Sequence, residues 1–402
     1  MSRETIYDDL GIPSVINATG TKTRIGGTLI REESLEAMNR AAEAFVRISD
    51  LQAVASERIA EVTGAEAGYV TNGASSALTL AAAACIAGDD LERMAQLPDT
   101  EGIPSEIVMP RTHRNGYDHA LRVAGADIVD VGGNDYYLGT GSENTEPWEI
   151  DAAVSEETVA IAYMEKAFTR PPLETVIDIA HEHDVPVIVD AAAELPPTEN
   201  LSRFVEKGAD LVAFSGGKAI RGPQSSGILA GRQDLIKSVA RQHLDMHAAE
   251  PAYDPPETLV DVKELPGVPR QGIGRSMKVG KEEIAGLIAA LDAFVEQDDA
   301  AVLTEWHDRA ERIAAGLEPI DALEVEIRNV GKTDAVSTVV VDIREQAPMD
   351  AATLVSKLRQ ENPRIFVGGD DVHLDRFSIN PRCLPDSEVD YVIDRIAAHV
   401  NV

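Results

Sequence analysis

Residues 214–227 read FSGGKAIRGPQSSG. One lysine, Lys218, stands among small residues, with Arg221 three positions later and the apolar run DLVAF (210–214) just before. The chain has only ten lysines, so this placement at the end of a strand-like run asks for a reason. An amine sheltered in a pocket loses proton affinity and can form a Schiff base with a carbonyl. A solvated surface lysine is the plain alternative, since most lysines are exposed.

Outward from DLVAF, short apolar runs alternate with helical patterns from about residue 50 to 245. The strand candidates are AGYVT (67–71), EIVMP (106–110), DIVDV (127–131), TVAIAYM (158–164), PVIVD (186–190), DLVAF and SGILA (226–230). Helical spacing covers SSALTLAAAACIA (75–87), DHALRVAGA (118–126) and LETVIDIAHEHD (173–184). Nearly continuous apolar strands alternating with helices predict an α/β fold, a seven-stranded, mostly parallel sheet covered on both faces. The link between DLVAF and SGILA lacks a helical pattern, so that pair is expected to be antiparallel or joined by a functional loop.

After residue 250 the texture changes. The Pro-rich segment 251–272 reads as a linker or active-site loop. A helix is expected over 281–297. A smaller α+β domain follows, with strands near 324–328, 337–343 and 376–380 and helices near 350–361 and 386–399. The expected organisation is residues 1–50 as an N-terminal segment packing on the small domain or a partner subunit, 51–280 as the large ligand-binding domain, and 281–402 as a linker helix with the small C-terminal domain.

Composition narrows the class. A 44% hydrophobic and 26% charged chain of 402 residues is globular and long enough for two domains. No apolar run nears the ~20 residues of a membrane helix, and MSRETIYDDLG has no apolar signal region. Cys85 and Cys383 form neither a disulfide framework nor a metal spacing, which implies a reducing, cytoplasmic setting with no metal. The net charge of −33 repels nucleic acid and anionic membranes. Acid enrichment with few lysines also suits a protein working in high salt, where self-repulsion is screened.

In open α/β sheets ligands bind at the carboxyl ends of the strands. After AGYVT, residues Gly73, Ala74 and Ser75 open a strong helix, and N–H groups there make an anion site. A plain N-cap is the alternative. After EIVMP comes His113, which can stack on a ligand ring or move protons; His119 is one helical turn further. PVIVD ends in Asp190, costly to bury unless paired. DLVAF leads into Ser215 and Lys218. Together they supply a phosphate cradle, a ring-face partner, a pyridine-nitrogen partner and an amine, which are the needs of pyridoxal phosphate.

These stretches resemble fold-type I pyridoxal-phosphate enzymes, in the group that includes bacterial selenocysteine synthase and the glucosaminate-phosphate ammonia-lyases. The likeness lies in VINATGTKTRIGG (15–27), EVTGAEAGYVTNGASSAL (61–78), VDAAAELPP (189–197), GADLVAFSGGKAIRGPQSSGILAGR (208–232) and RSMKVGKEEIAGLIAAL (275–291). It implies that Lys218 carries the internal aldimine, Asp190 pairs with the pyridine nitrogen, His113 stacks on the ring, and Gly73, Ala74, Ser75 and Ser215 hold the phosphate. It also implies a homodimer or higher homo-oligomer with shared active sites. One departure is Ala193, where many such enzymes place a polar residue on the cofactor's phenolic oxygen.

The resemblance points to a lyase catalysing α,β-elimination of a β-substituted, sugar-derived amino acid to a 2-oxo acid and ammonia. Racemase, aldolase and selenocysteine-synthase-like transferase chemistry are the alternatives, with an inactive scaffold as the non-enzyme one. With no basic patch, tRNA is not an expected partner. The substrate carboxylate calls for a guanidinium fork. Arg382 is the first candidate, with Arg376, Arg275 and Arg24 as rivals. Side-chain specificity is expected from loops 89–105, 132–148 and 251–272.

Overall fold

A computed structural model of the chain describes residues 5–133, 145–166, 169–245, 247–329 and 336–400. The specificity loop expected at 132–148 lies mostly outside them. The described residues divide into two compact units, Ile30–Glu296 and the residues up to Leu29 with those from Gln297 on. Along the chain the strands are β1 (Val15–Ala18), β2 (Ala67–Thr71), β3 (Glu106–Pro110), β4 (Asp127–Val131), β5 (Thr158–Met164), β6 (Val187–Asp190), β7 (Leu211–Ser215), β8 (Gly227–Gly231), β9 (Leu323–Asn329), β10 (Ser337–Ile343), β11 (Arg364–Val367) and β12 (Arg376–Ile379).

The larger unit holds a seven-stranded sheet in the order β2-β8-β7-β6-β5-β3-β4. Only β8 runs against its neighbours, β2 and β7; the other pairings are parallel. Successive strand residues serve two cores. In β7, Leu211 and Ala213 enter one apolar cluster, while Val212 and Phe214 enter the other. This two-residue period explains why the strands read as continuous apolar runs: both faces are covered. Helices Gly73–Ala87 and Gln233–His243 cover one face, and Ile48–Thr63, Leu173–Glu182 and Lys281–Val295 the other. The alanines of Gly73–Ala87 let that helix lie close on the sheet.

The smaller unit has an antiparallel sheet, β12-β10-β9, and a parallel pair, β1 with β11. Helices Asp299–Leu317, Ala351–Leu358 and Asp386–Val400 close its core.

Some expected boundaries move. The helix expected over 118–126 is only His119–Val123, because Gly125 takes φ +98° and a Cβ there would lie 2.4 Å from the Pro98 carbonyl oxygen. The strand expected at 210–214 is displaced by one residue, since Ser215 pairs with Gly227 in the ladder.

Candidate active site

The loop after β7 is closed on itself. Gly222 N–H donates to the Gly216 carbonyl at 2.9 Å, Arg221 N–H to the Lys218 carbonyl at 3.1 Å, and Gly216 N–H to the Ser226 carbonyl at 2.9 Å. Ala219 and Ile220 drop into the core, so half-buried Lys218 rises from a loop pinned at both ends. Gly216 and Gly217 are required by that closure. A Cβ on Gly216 would meet Ser226 Oγ at 2.3 Å, and one on Gly217 would meet Gln224 Cα at 2.7 Å. Arg221 adopts φ +58°, uncommon without glycine. Its carbonyl accepts Arg31 N–H, while Arg31 Nε donates to the Ile220 carbonyl, both at 2.9 Å. Arg31 therefore braces the lysine loop from helix Glu32–Ala42, a segment the sequence reading did not connect with the site.

Asp190 ends β6, level with Ala213 of β7 and Met164 of β5. Its Oδ1 accepts Ala192 N–H at 3.1 Å. Burial pushes its carboxyl above the usual carboxylate range; the Ala192 hydrogen bond and the Lys218 and Lys166 ammonium groups oppose the rise. Lys218 and Asp190 are thus electrostatically coupled across two neighbouring parallel strands.

The helix start lies at the same end of the sheet. Thr71, Gly227 and Ser215 stand side by side across β2, β8 and β7. A Cβ on Gly227 would meet the Gly73 carbonyl carbon at 2.4 Å and Ala74 N at 2.6 Å. The register therefore brings half-buried Ser215 beside the N-terminus of Gly73–Ala87, where Gly73 takes φ +80°.

His113 is fully buried in the turn after β3. Met164 N–H donates to its Nδ1 at 3.3 Å, and its Nε2 meets the Arg170 carbonyl at 3.2 Å, which fixes a neutral ring with the proton on Nε2. Tyr163 packs edge-on at 4.7 Å. Burial pushes the imidazole down to about 4. Both nitrogens are engaged, so this side chain is a neutral brace between β3 and β5. Beside it lies a pocket walled by Asp190, Tyr163, Asn115, Tyr117, Asp118 and Leu78. Asn115, Tyr117 and Lys166 escaped the sequence reading, although the rule of polar groups after strand ends, applied to TVAIAYMEK, finds Lys166.

The four arginines divide between the two units. Arg275, in the larger unit, donates to the His243 carbonyl at 3.0 Å and pairs with Asp245 at 3.3 Å. In the smaller unit, Arg376 Nε donates to Asp342 at 2.7 Å, Arg382 lies over the Trp306 ring at 5.2 Å, and Arg24 is exposed. His119 is exposed beside Arg122.

These residues fit pyridoxal phosphate. An N–H-rich helix start bordered by a glycine that leaves the cradle open suits the phosphate, the pinned amine suits the aldehyde, and a buried carboxylate beside two ammonium groups suits a protonated pyridine. Ala193 is exposed and offers no polar atom to the phenolic oxygen, so that contact comes from elsewhere or is absent.

Known proteins agree with this chemistry. Residues 137–359 match the aminotransferase class-V family. The chain is 30% identical to D-glucosaminate-6-phosphate ammonia lyase of Salmonella typhimurium over 97% of its own length and 96% of the relative's. It is 31% identical to 5'-C-glycyluridine monooxygenase-decarboxylase of a Streptomyces species, over 95% and 89% respectively. A solved D-glucosaminate-6-phosphate ammonia-lyase structure superposes with a TM-score of 0.80 at 28% identity, covering all of both chains.

Proposed function

Because the chain belongs to the aminotransferase class-V family and uses pyridoxal 5'-phosphate, we propose that it is a lyase converting a β-hydroxylated, sugar-derived amino acid of the D-glucosaminate 6-phosphate type to a 2-oxo acid and ammonia. The observation that carries this reading is the likeness to an ammonia lyase over nearly the whole of both chains. Water leaves from Cβ, is taken up again, and ammonia departs, so the net change is deamination.

Bound in this site, pyridoxal phosphate supplies an electron sink for the bond broken at Cα. The chain's residues supply the rest. Asp190 balances the charge of a protonated pyridine nitrogen. Lys218 holds the cofactor and then takes the proton from Cα. Gly73, Ala74, Ser75 and Ser215 bind the phosphate. His113, neutral and locked between the ends of β3 and β5, stacks on the cofactor ring. Arg382 is our first candidate for the substrate carboxylate, with Arg376, Arg275 and Arg24 as rivals. The acid excess supports work in high salt, and we place the enzyme in the cytoplasm as a homo-oligomer.

The test is incubation of the holoenzyme with D-glucosaminate 6-phosphate in molar salt, following ammonia and 2-oxo acid. Their formation in equal amounts supports the reading. A second reading, oxidative decarboxylation of a glycyl nucleoside, is favoured by the 31% identity to the Streptomyces enzyme. Oxygen uptake with carbon dioxide release, and no ammonia from the sugar acid, would establish it instead.

A further inference from the structure

Asp190 stands between two lysines. β5 and β7 flank β6 in the sheet; Lys166 follows the end of β5 by two residues, and Lys218 follows the end of β7 by three. Both ammonium groups act on the Asp190 carboxylate. Lys218 is accounted for by its place in the cofactor site; Lys166 is not.

Lys166 is held in place. Its Nζ is ion-paired with Glu194, whose side chain is only 2% exposed. Thr169 Oγ1 donates to the Lys166 carbonyl at 2.8 Å. Glu194 sits in the turn after β6, its N–H donating to the Ala191 carbonyl at 3.1 Å and its carbonyl accepting Asn200 Nδ2 at 2.6 Å. A carboxylate so buried needs its counter-charge. The pair therefore fixes the Lys166 side chain in place.

We propose that Lys166, clamped by Glu194, is a positioning residue of the cofactor site: its fixed charge, across Asp190 from Lys218, keeps the Asp190 carboxylate ionised to face the pyridine nitrogen. The four groups acting on that carboxylate are then Lys218, Lys166, the Ala192 N–H and, in opposition, Glu194. The proposal rests on Asp190 being the partner of the ring nitrogen.

The experiment titrates apo-protein with pyridoxal phosphate and reads the affinity and the cofactor's visible spectrum. Lys166→Met is expected to bind about tenfold or more weakly, with an altered spectrum, and Lys166→Arg to restore both. The double variant Lys166→Met/Glu194→Gln leaves no unpaired buried charge, so it folds even where the single variant does not. Because Glu194 opposes Lys166 at Asp190, removing both is expected to restore part of the affinity but not all of it. Wild-type affinity and spectrum in the double variant would reduce Lys166 to a plain structural ion pair and overturn the proposal. Asp190→Asn separates the two readings. If it binds and absorbs like wild type, the Asp190 assignment falls and the proposal with it. If it is weakened while Lys166→Met is not, only the proposal falls.

Discussion

Gly227, the first residue of β8, lies directly against Gly73, the first residue of the helix whose start is proposed to hold the phosphate; a Cβ on Gly227 would sit 2.4 Å from the Gly73 carbonyl carbon. Because Ser215 is the ladder partner of Gly227, one contact sets both halves of the proposed phosphate site. Gly227→Ala is expected to destabilise the fold by about 1–3 kcal/mol through overpacking, and to weaken pyridoxal phosphate binding as well. Denaturant melts and a cofactor titration measure the two effects. Unchanged cofactor affinity would show that the helix start does not hold the phosphate.

The lysine loop depends on Arg31, which donates to the main chain at Ile220 and Arg221. Arg31→Ala leaves the Ile220 carbonyl without that donor, at an expected cost of about 1–3 kcal/mol. Thermal unfolding checks this. Hydrogen exchange should rise at 216–222 in the variant and stay unchanged in helix Gln233–His243.

His113 sets a pH dependence. Its folded-state value of about 4 lies below the ordinary value of about 6.5, because burial disfavours the charged ring. Between these values the unfolded chain binds the proton and the folded chain does not. Stability is therefore full above about pH 6.5 and falls as the pH drops toward 4, by about 3 kcal/mol from this residue. In His113→Gln the fall across that window should be shallower. A slope equal to wild type would mean that His113 is not buried as a neutral ring.

The surface predicts a response to salt. At −33 net charge, self-repulsion opposes the compact state, and the Debye length shrinks to about 3 Å at 1 M. The melting temperature should climb steadily between about 0.1 M and molar potassium chloride, most steeply where screening first reaches neighbouring acids. A flat profile removes the high-salt reading of the composition.

The sheet was legible because its inner strands are buried on both faces, so apolar runs such as AGYVT and TVAIAYM stand out and match β2 and β5 end to end. The lysine, the aspartate and the helix start were legible because ligand groups collect at strand ends. What escaped is non-local. β1 and β11 are four residues each, and Val15 pairs with Arg364 across most of the chain, so neither carries a strand signal alone. Arg31 reaches the lysine loop through main-chain carbonyls, which leave no mark in sequence. His113 was expected to stack on a ring or move protons because it follows a strand; its two engaged nitrogens argue against the proton role and do not bear on stacking. Its burial and its two main-chain partners depend on Met164 and Arg170, and only the folded chain brings them together.

The most direct test of the account follows ammonia and 2-oxo acid from a phosphorylated, sugar-derived β-hydroxy amino acid, in wild type and Lys218→Ala, both saturated with pyridoxal phosphate in molar salt. The account predicts equal amounts of the two products with wild type. It predicts neither product from Lys218→Ala, together with loss of the cofactor's lysine-bound absorbance. Ammonia release that survives Lys218→Ala, or a wild type that consumes the amino acid without releasing ammonia, would contradict it.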